Sequence, residues 1–140
     1  MKPGVFVDTS AWYALIDRAD PDHMAVSACM RQHKGALITS NFIFDETVTL
    51  LRYRLGWQPA HRFGELLRAG GLAQCVAIEA EDEAVAWSIF VKYNDHELSF
   101  TDCSSFALMR RLKLSTAIAL DADFHIFGLL TLPALRLASL

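Results

Sequence analysis

The sequence predicts an α/β fold built on a central parallel β-sheet. Short runs of β-branched and other apolar residues alternate with longer segments whose apolar residues recur every three or four positions. This alternation is typical of parallel sheets, because consecutive parallel strands are joined by helical crossovers. The chain has 140 residues, 53% of them hydrophobic, which is sufficient for a buried core. We therefore expect a single domain over residues 1–140.

The expected elements follow from these patterns in order along the chain. Strands are predicted at residues 5–7, 36–40, 75–78 and 116–120. Helices are predicted at residues 11–18, 21–33, 42–55, 59–68, 79–94 and 102–112, with a short one ending at Gly128. A last edge strand is expected at residues 135–137, behind Pro133.

Polar residues and glycines support these boundaries. Asp8-Thr9-Ser10 follows the first strand and contains residue types that cap helices. Asn41 is expected to cap the third helix, and Gly56 to end it. Thr101 or Asp102 is expected to cap the sixth helix.

The inward faces of the last two long helices are also predicted from periodicity. The fifth helix begins with acidic residues, which suit a helix N-terminus. Its buried stripe is expected at Ala84, Trp87, Ser88 and Val91. The sixth helix is expected to direct inward Phe106, Met109 and Leu112.

Composition excludes several classes of protein. No apolar stretch is long enough to span a membrane, and Asp8 interrupts the only hydrophobic run near the N-terminus. Three widely spaced cysteines without a C-x-x-C motif argue against a disulfide framework and a zinc site. We expect a protein of the reducing cytoplasm without a membrane anchor.

The charge of the chain does not by itself indicate nucleic-acid binding. The net charge is −3 and the pI is near 5.9, whereas nucleic-acid-binding domains usually carry a basic surface. Bound divalent cations would offset an acidic site locally, which weakens this objection. Basic residues are clustered in two stretches, Arg52, Arg54, Arg62 and Arg68, and Arg110, Arg111 and Lys113. Solvated helix faces are the favoured interpretation of both stretches.

Four carboxylates lie where a parallel sheet brings side chains together. Asp8 and Asp121 follow predicted strands, Glu46 lies in a predicted helix and Asp102 at a helix start. The carboxyl ends of parallel strands form the usual ligand site of open α/β folds. Converging carboxylates repel one another unless a cation neutralises them, and Mg²⁺ or Mn²⁺ prefers such oxygen ligands. The sequence thus predicts a magnesium or manganese site.

Each acid also has a purely structural interpretation. Asp8 and Asp102 are suited to capping helices, and Asp121 with Asp123 to an Asx-turn. Asp45 competes with Glu46, but a one-residue step turns a side chain about 100° around a helix, so only one of the two can face the site.

Other catalytic motifs are absent from the sequence. The five histidines are scattered without H-E-x-x-H, and neither G-x-S-x-G, a P-loop nor G-x-G-x-x-G occurs. Trp12, Tyr13, Tyr53 and Trp57 have the chemistry to stack on bases, although aromatic residues at such spacing are more often core residues.

Four segments in order resemble the motifs of PIN-domain proteins. They are Val5-Phe6-Val7-Asp8-Thr9-Ser10, Asn41-Phe42-Ile43-Phe44-Asp45-Glu46, Ser99-Phe100-Thr101-Asp102 and Ala119-Leu120-Asp121-Ala122-Asp123-Phe124. In length and layout the chain is most similar to the toxin subunits of VapBC-type toxin-antitoxin pairs. The resemblance implies a PIN-like fold in three layers, with the parallel sheet flanked by α-helices. It also implies a Mg²⁺- or Mn²⁺-dependent endoribonuclease, a homodimer and a small antitoxin encoded alongside.

The same resemblance implies roles for individual residues. Asp8, Glu46, Asp102 and Asp121 match the acidic positions of the family, and Asp123 would be an accessory metal ligand. Hydrogen-bonding support near the metal is expected from Thr9, Ser10, Asn41 and Thr101. Whether Asp121 or Asp123 is the main fourth ligand stays open.

Two other functions remain compatible with these residues. A PIN nuclease of RNA maturation or decay would share all of them and differ only in its partners. A non-catalytic interaction module would use the acids as caps and solvated charges. If an antitoxin is the partner, the helices between Pro21 and Leu55 are expected to present apolar surface to it, because 53% hydrophobic content is high for a small domain.

Overall fold

The computed structural model describes residues 3–133 and confirms the predicted α/β fold with a parallel sheet. All five strands are parallel, in the order β3-β2-β1-β4-β5. They span Val5–Val7 (β1), Leu37–Ser40 (β2), Gln74–Val76 (β3), Thr116–Ile118 (β4) and Leu130–Leu132 (β5). Since β1 is central, the residue that follows it lies in the middle of one sheet edge.

Six α-helices connect and cover the strands. They span Thr9–Ile16 (α1), His23–Gln32 (α2), Asn41–Arg54 (α3), Trp57–Arg68 (α4), Ala80–Lys92 (α5) and Phe100–Leu112 (α6). A 3₁₀ helix, Ala122–Phe127, follows β4. Helix α3 packs on α4 and α1, and α5 packs on α6. None of the helices described within residues 3–133 is both long and apolar enough to cross a bilayer.

The core lies around the central strands. Phe6 and Val7 of β1 are fully buried, as is Trp12 of α1. The Trp12 ring packs against Phe63 of α4, with 5.5 Å between the ring centroids, and its indole N–H donates to the Thr39 hydroxyl at 3.3 Å. A buried indole N–H is therefore satisfied, and Trp12 is a core residue.

Strand β5 was missing from the sequence-based prediction. Gly128, in the left-handed region at φ 71°, ends the 3₁₀ helix, and the chain then pairs Leu130–Leu132 in parallel with β4. Only one polar residue, Thr131, interrupts this short segment, so periodicity carries little signal. The edge strand expected at residues 135–137 lies outside the described residues.

The caps of α3 and α6 are one or more residues earlier than predicted. Ser40, not Asn41, caps α3, and its hydroxyl accepts from the Ile43 N–H at 3.1 Å. Ser99, not Thr101 or Asp102, caps α6 and accepts from the Asp102 N–H at 3.0 Å. Both serines have the extended backbone that an N-cap needs, and a preceding serine takes this role as well as Asn or Asp.

The buried stripe predicted for α5 is wrong. Its buried residues are Asp82, Ala86 and Ile89, whereas Trp87 is 58% exposed and Val91 53% exposed. Helix α5 is apolar on two faces, and periodicity alone does not indicate which one meets the core. The corresponding prediction of inward-facing residues on α6 is confirmed for Phe106 and Met109, which are buried.

Candidate active site

A cleft of about 340 Å³ opens where β1 and β4 end. The Asp8 N–H donates to the Ile118 carbonyl at 3.0 Å, which holds the two strand ends side by side. The cleft is lined by all four of the acids singled out from the sequence, Asp8, Glu46, Asp102 and Asp121. Two helices and two strand ends thus bring together carboxylates that are up to 113 positions apart in the sequence.

Asp8 is the most buried of these acids. Its side chain is 6% exposed and accepts hydrogen bonds from the Ser10 N–H at 3.2 Å and the Ser10 hydroxyl at 2.7 Å. Burial raises its pKa from 3.8 to about 6, and the nearby negative charges of Asp102 and Glu46 act in the same direction. The Ser10 bonds oppose this rise without cancelling it. A cation beside Asp8 would therefore relieve a real electrostatic cost.

Ser10 joins the two strands that form the cleft. While its hydroxyl donates to Asp8, its oxygen accepts from the Leu120 N–H at 3.0 Å. Thr9, also on the cleft, has a buried hydroxyl that accepts from the Thr47 hydroxyl of α3 at 3.3 Å. Both residues therefore support Asp8 and the cleft wall from inside the fold.

A second group of acids lies beside Asp8. Single carboxylate oxygens of Asp102, Asp121 and Asp123 lie within 4.8 Å of one another. Burial raises the pKa of Asp102, with a further contribution from the negative charge of Asp121. Burial and then the charge of Asp121 raise the pKa of Asp123. Three like charges at this separation are typical of a site for a hard cation.

These acids also stabilise local structure. Asp8 caps α1, Asp102 accepts from the Ser99 N–H at 3.0 Å, and Asp121 accepts from the Asp123 N–H at 2.9 Å. The structural and functional interpretations are thus compatible, since a carboxylate has two oxygens and several lone pairs.

Of the two acids on α3 that could face the cleft, only Glu46 does so. Glu46 is half-buried and lines the cleft, whereas Asp45 is exposed and lies outside the lining. Asn41 and Thr101 are also outside it. The Asn41 amide oxygen accepts from the Ile78 N–H at 2.7 Å, and the Thr101 carbonyl accepts from the Ser104 hydroxyl at 2.6 Å. Asn41 thus links α3 to the segment after β3, and the Thr101 bond lies within α6.

The sequence-based reasoning missed Arg54 and Asp20 as cleft residues and assigned no role there to Tyr13. Helical spacing carried a usable signal for two of them. Residues four apart share a helix face, so Arg54 lies two turns beyond Glu46 and Tyr13 one turn beyond Thr9. All four arginines of the stretch around Arg54 are exposed, as expected for solvated helix faces, but Arg52 lines a different groove from Arg54.

The carboxylates of the cleft are not neutralised by the protein itself. Within residues 3–133, the ion pairs of the structure involve His61, His96 and Arg111, and none includes a cleft acid. Five carboxylates against a single arginine, Arg54, leave the cleft lining with a net negative formal charge. Its candidate metal ligands are all oxygens, which suits Mg²⁺ or Mn²⁺ better than zinc.

A larger groove of about 680 Å³ lies between α3 and α4. Its walls include the apolar side chains of Phe44, Val48 and Trp57, and Trp57 stacks on His61 with 4.5 Å between ring centroids. Tyr53 and Trp57 are exposed there. This groove is separate from the acidic cleft, although α3 contributes to both.

Comparison with known proteins places this geometry in a family. The PIN-domain family model matches residues 5–128. The 23S rRNA-specific endonuclease VapC20 of Mycobacterium tuberculosis is 36% identical over 127 residues, covering 89% of this chain and 94% of the relative. Ribonuclease VapC26 of the same organism is 34% identical over 119 residues, covering 84% and 86%.

Comparison with solved structures supports the same family through the fold. The crystal structure of VapC20, described as a Sarcin-Ricin loop cleaving toxin, has a TM-score of 0.85 at 33% identity, over 90% of this chain and 96% of that one. VapBC-1 from nontypeable Haemophilus influenzae has a TM-score of 0.64 at 14% identity, over 92% and 96%, which shows the fold alone. With a matching family model, a matching fold and relatives that align over most of its length, the chain belongs to the PIN-domain family.

Proposed function

We propose that this protein is a metal-dependent endoribonuclease that hydrolyses phosphodiester bonds in RNA, and that it is the toxin of a toxin-antitoxin pair. The observation that carries the proposal is the convergence of Asp8, Glu46, Asp102 and Asp121 on one cleft, where none of them forms an ion pair with a described residue. The ribonuclease activities named for VapC20 and VapC26 support it.

The residues fit a divalent cation. Their donors are carboxylate oxygens, which Mg²⁺ and Mn²⁺ prefer. The pKa values of Asp8, Asp102 and Asp123 are raised chiefly by burial and further by neighbouring negative charges. We assign metal binding to Asp8, Glu46, Asp102 and Asp121, with Asp123 as an accessory ligand. The metal would activate water as the nucleophile and stabilise the leaving oxygen.

The remaining tasks fall to the protein. The Ser10 hydroxyl holds Asp8 in one orientation through its 2.7 Å hydrogen bond. The Thr9–Thr47 contact fixes α3 against the start of α1 and so sets the position of Glu46. The backbone N–H groups that bond to Asp8, Asp102 and Asp121 hold these carboxylates in place before metal arrives. Such pre-organisation lowers the cost of bringing like charges together.

The choice of substrate follows from the relatives. VapC20 is named as specific for 23S rRNA and as a toxin that cleaves the Sarcin-Ricin loop. An RNA hairpin with the sequence of that loop is therefore the first substrate that we propose. We also propose that the enzyme acts in the cytoplasm, where such a substrate occurs.

For the antitoxin, we propose the groove between α3 and α4 as the docking site. Apolar surface was expected between Pro21 and Leu55, and the groove uses part of that stretch but extends over α4 as well. Exposed Tyr53 and Trp57 would be covered by an apolar helix face. A Trp57→Glu variant should fail to co-purify with the antitoxin encoded alongside while it retains RNA cleavage.

For the homodimer, we propose the exposed face of α5. Trp87 and Phe90 stack with 5.4 Å between ring centroids, and exposed Val91 continues the patch. The helix carries Glu81 and Glu83 in its first turn and Lys92 in its last. Two copies of α5 packed antiparallel around a two-fold axis would place each acidic turn beside Lys92 of the partner. A two-fold interface needs such self-complementarity.

The test of the activity is RNA cleavage by the purified protein with Mn²⁺, with EDTA, and with an Asp8→Asn variant purified identically. We expect cleavage of the hairpin by the wild-type protein only, and only with metal, since Asn removes a metal-binding charge at constant volume. Equal cleavage by Asp8→Asn would point to a contaminating nuclease or to another site. Failure to bind Mn²⁺ in calorimetry would favour a non-catalytic interaction module.

A further inference from the structure

Arg54 is the one cation among the residues that line the acidic cleft in the described part of the chain. It is the last residue of α3, and its guanidinium carbon lies 5.3 Å from the centroid of the Tyr13 ring. The Tyr13 hydroxyl donates to a carboxylate oxygen of Asp17 at 2.9 Å, which fixes the ring. The guanidinium thus lies over the face of an immobilised aromatic ring.

No ion pair occupies Arg54 within residues 3–133, although carboxylates line the same cleft. Stacking uses the face of a guanidinium and leaves its in-plane N–H donors free. Those donors match the oxygens of a phosphate in a two-point hydrogen bond. The arrangement therefore presents an oriented phosphate-binding group at the edge of a cleft that is otherwise negative.

We propose that Arg54, stacked on Tyr13, binds a backbone phosphate of the RNA next to the phosphodiester bond that is cleaved. The inference rests on the proposed ribonuclease activity and extends it to how the substrate is held. A cation bound by the cleft acids would neutralise charge at the reacting phosphate, but a neighbouring phosphate needs a cation of its own. Arg54 is placed to supply it.

The geometry distinguishes Arg54 from the arginines near it. Arg52, two residues earlier on α3, lines the groove between α3 and α4. Arg62, on α4, lines a third hollow with Leu15 and Arg18. Neither borders the acidic cleft. Arg62→Ala therefore removes the same charge as Arg54→Ala at a site that does not face the cleft.

The experiment measures RNA binding and cleavage separately. Binding of a fluorescent sarcin-ricin hairpin is followed by anisotropy on an Asp8→Asn background, which prevents cleavage, at several salt concentrations. Cleavage kinetics are measured on the wild-type background. The variants are Arg54→Ala, Arg54→Lys, Tyr13→Ala and the control Arg62→Ala, each checked for an unchanged thermal midpoint.

We expect Arg54→Ala to raise Kd and KM about tenfold, with a smaller change in kcat, and to reduce the salt dependence of binding by about one phosphate contact. Arg54→Lys should restore part of the salt dependence but not the full affinity, because lysine lacks the planar fork. Tyr13→Ala should raise Kd in the same direction, and Arg62→Ala should leave Kd and KM unchanged.

Two different results would overturn the inference, and only the second would also contradict the proposed function. If the wild-type enzyme cleaves RNA and Arg54→Ala matches it in Kd, KM and salt dependence, this inference fails alone. If the wild-type protein neither binds nor cleaves the hairpin and a broader set of RNAs, the proposed function fails and this inference with it.

Discussion

At the scale of single residues, Asp8 combines burial with a raised pKa of about 6. Between pH 3.8 and 6 the folded protein binds this proton more tightly than the unfolded chain does, so stability falls as pH rises through that window. At neutral pH the metal-free protein therefore carries a buried charge. The cost is on the order of 3 kcal/mol at most, from a shift of about two pKa units.

We predict that Asp8→Asn stabilises the metal-free protein at pH 7.5 while it abolishes cleavage. The amide removes the buried charge and keeps an oxygen that can accept the two Ser10 hydrogen bonds. Thermal unfolding in EDTA at pH 7.5 and at pH 4 is the measurement, and the gain should be largely lost at pH 4, where Asp8 is mostly protonated. A midpoint below that of the wild-type protein at pH 7.5 would contradict the buried-charge argument.

The sequence was informative about the acids of the cleft, whereas for Arg54 it offered only the helical spacing from Glu46. Asp8 and Asp121 follow strands, so a parallel sheet alone brings them to one edge. Arg54 reaches the cleft because α3 packs across α1, and the angle between two helices depends on long-range packing that a linear pattern does not contain.

At the scale of elements, a partly buried ion pair joins α5 to α6 beside their packed apolar faces. Asp82 is 3% exposed and accepts from the Arg111 guanidinium at 2.9 to 3.2 Å, and Arg111 also donates to the Ala77 carbonyl at 3.2 Å. The Arg111 hydrogen bonds lower the pKa of Asp82. The pair stabilises the fold above the ordinary Asp pKa of 3.8, and this contribution is lost as pH falls below it.

We predict that Asp82→Asn lowers the thermal midpoint by several degrees at pH 7 and by much less at about pH 2, well below the ordinary Asp pKa, where Asp82 is protonated in the folded protein as well. The amide keeps the size of the side chain but not the charge that Arg111 binds. Differential scanning calorimetry of both proteins at the two pH values measures the effect. A loss that is the same at both pH values would show that packing, and not the ion pair, is responsible.

The error in the α5 stripe has a physical cause. Ala86 and Ile89 face the core, and Trp87, Phe90 and Val91 form a second apolar face that periodicity cannot distinguish from the first. Sequence patterns reveal that a face is apolar, not what covers it. A partner is the simplest reason to keep large aromatic residues exposed.

We predict that Trp87→Glu converts a dimer to a monomer without unfolding it. Trp87 is 58% exposed in the single chain, so the change removes only its ring contacts with Phe90 and Phe100. It adds a charge at the centre of the proposed interface. Light scattering after size exclusion is the measurement, with Glu65→Lys on α4 as a surface control that also changes charge. A wild-type protein that is already monomeric would refute the interface.

At the scale of the whole molecule, the parallel character of the sheet followed from alternation, but its strand order did not. Each neighbouring pair in β3-β2-β1-β4-β5 other than β4-β5 joins strands at least 30 positions apart. Such pairings depend on how the connecting helices pack back onto the sheet, and no local sequence pattern specifies this. The position of the cleft beside central β1 is therefore a property of the assembled fold.

We predict that Mn²⁺ stabilises the folded protein as a whole. A ligand that binds only the folded state adds about 2.7 kcal/mol at one hundred times its Kd, which raises the midpoint by several degrees in a domain of this size. Thermal scans with Mn²⁺ and then with excess EDTA measure it, and Asp8→Asn should lose most of the response. The response should also weaken below pH 6, where a proton competes for Asp8.

The hydrogen bonds of the cleft acids have a consequence for how this domain would change if selection for cleavage were lost. Asp8, Asp102 and Asp121 each accept from a backbone N–H, whereas Glu46 has no hydrogen bond to the described residues that the structure records. A descendant freed from catalysis would keep capping residues at positions 8 and 121, and at position 102 the acid whose side chain bonds the Ser99 N–H, because the three helices still need these contacts. Glu46 would be the first of the four acids to be substituted. A relative with an apolar residue at this position and all three aspartates intact would therefore be a domain that has lost nuclease activity.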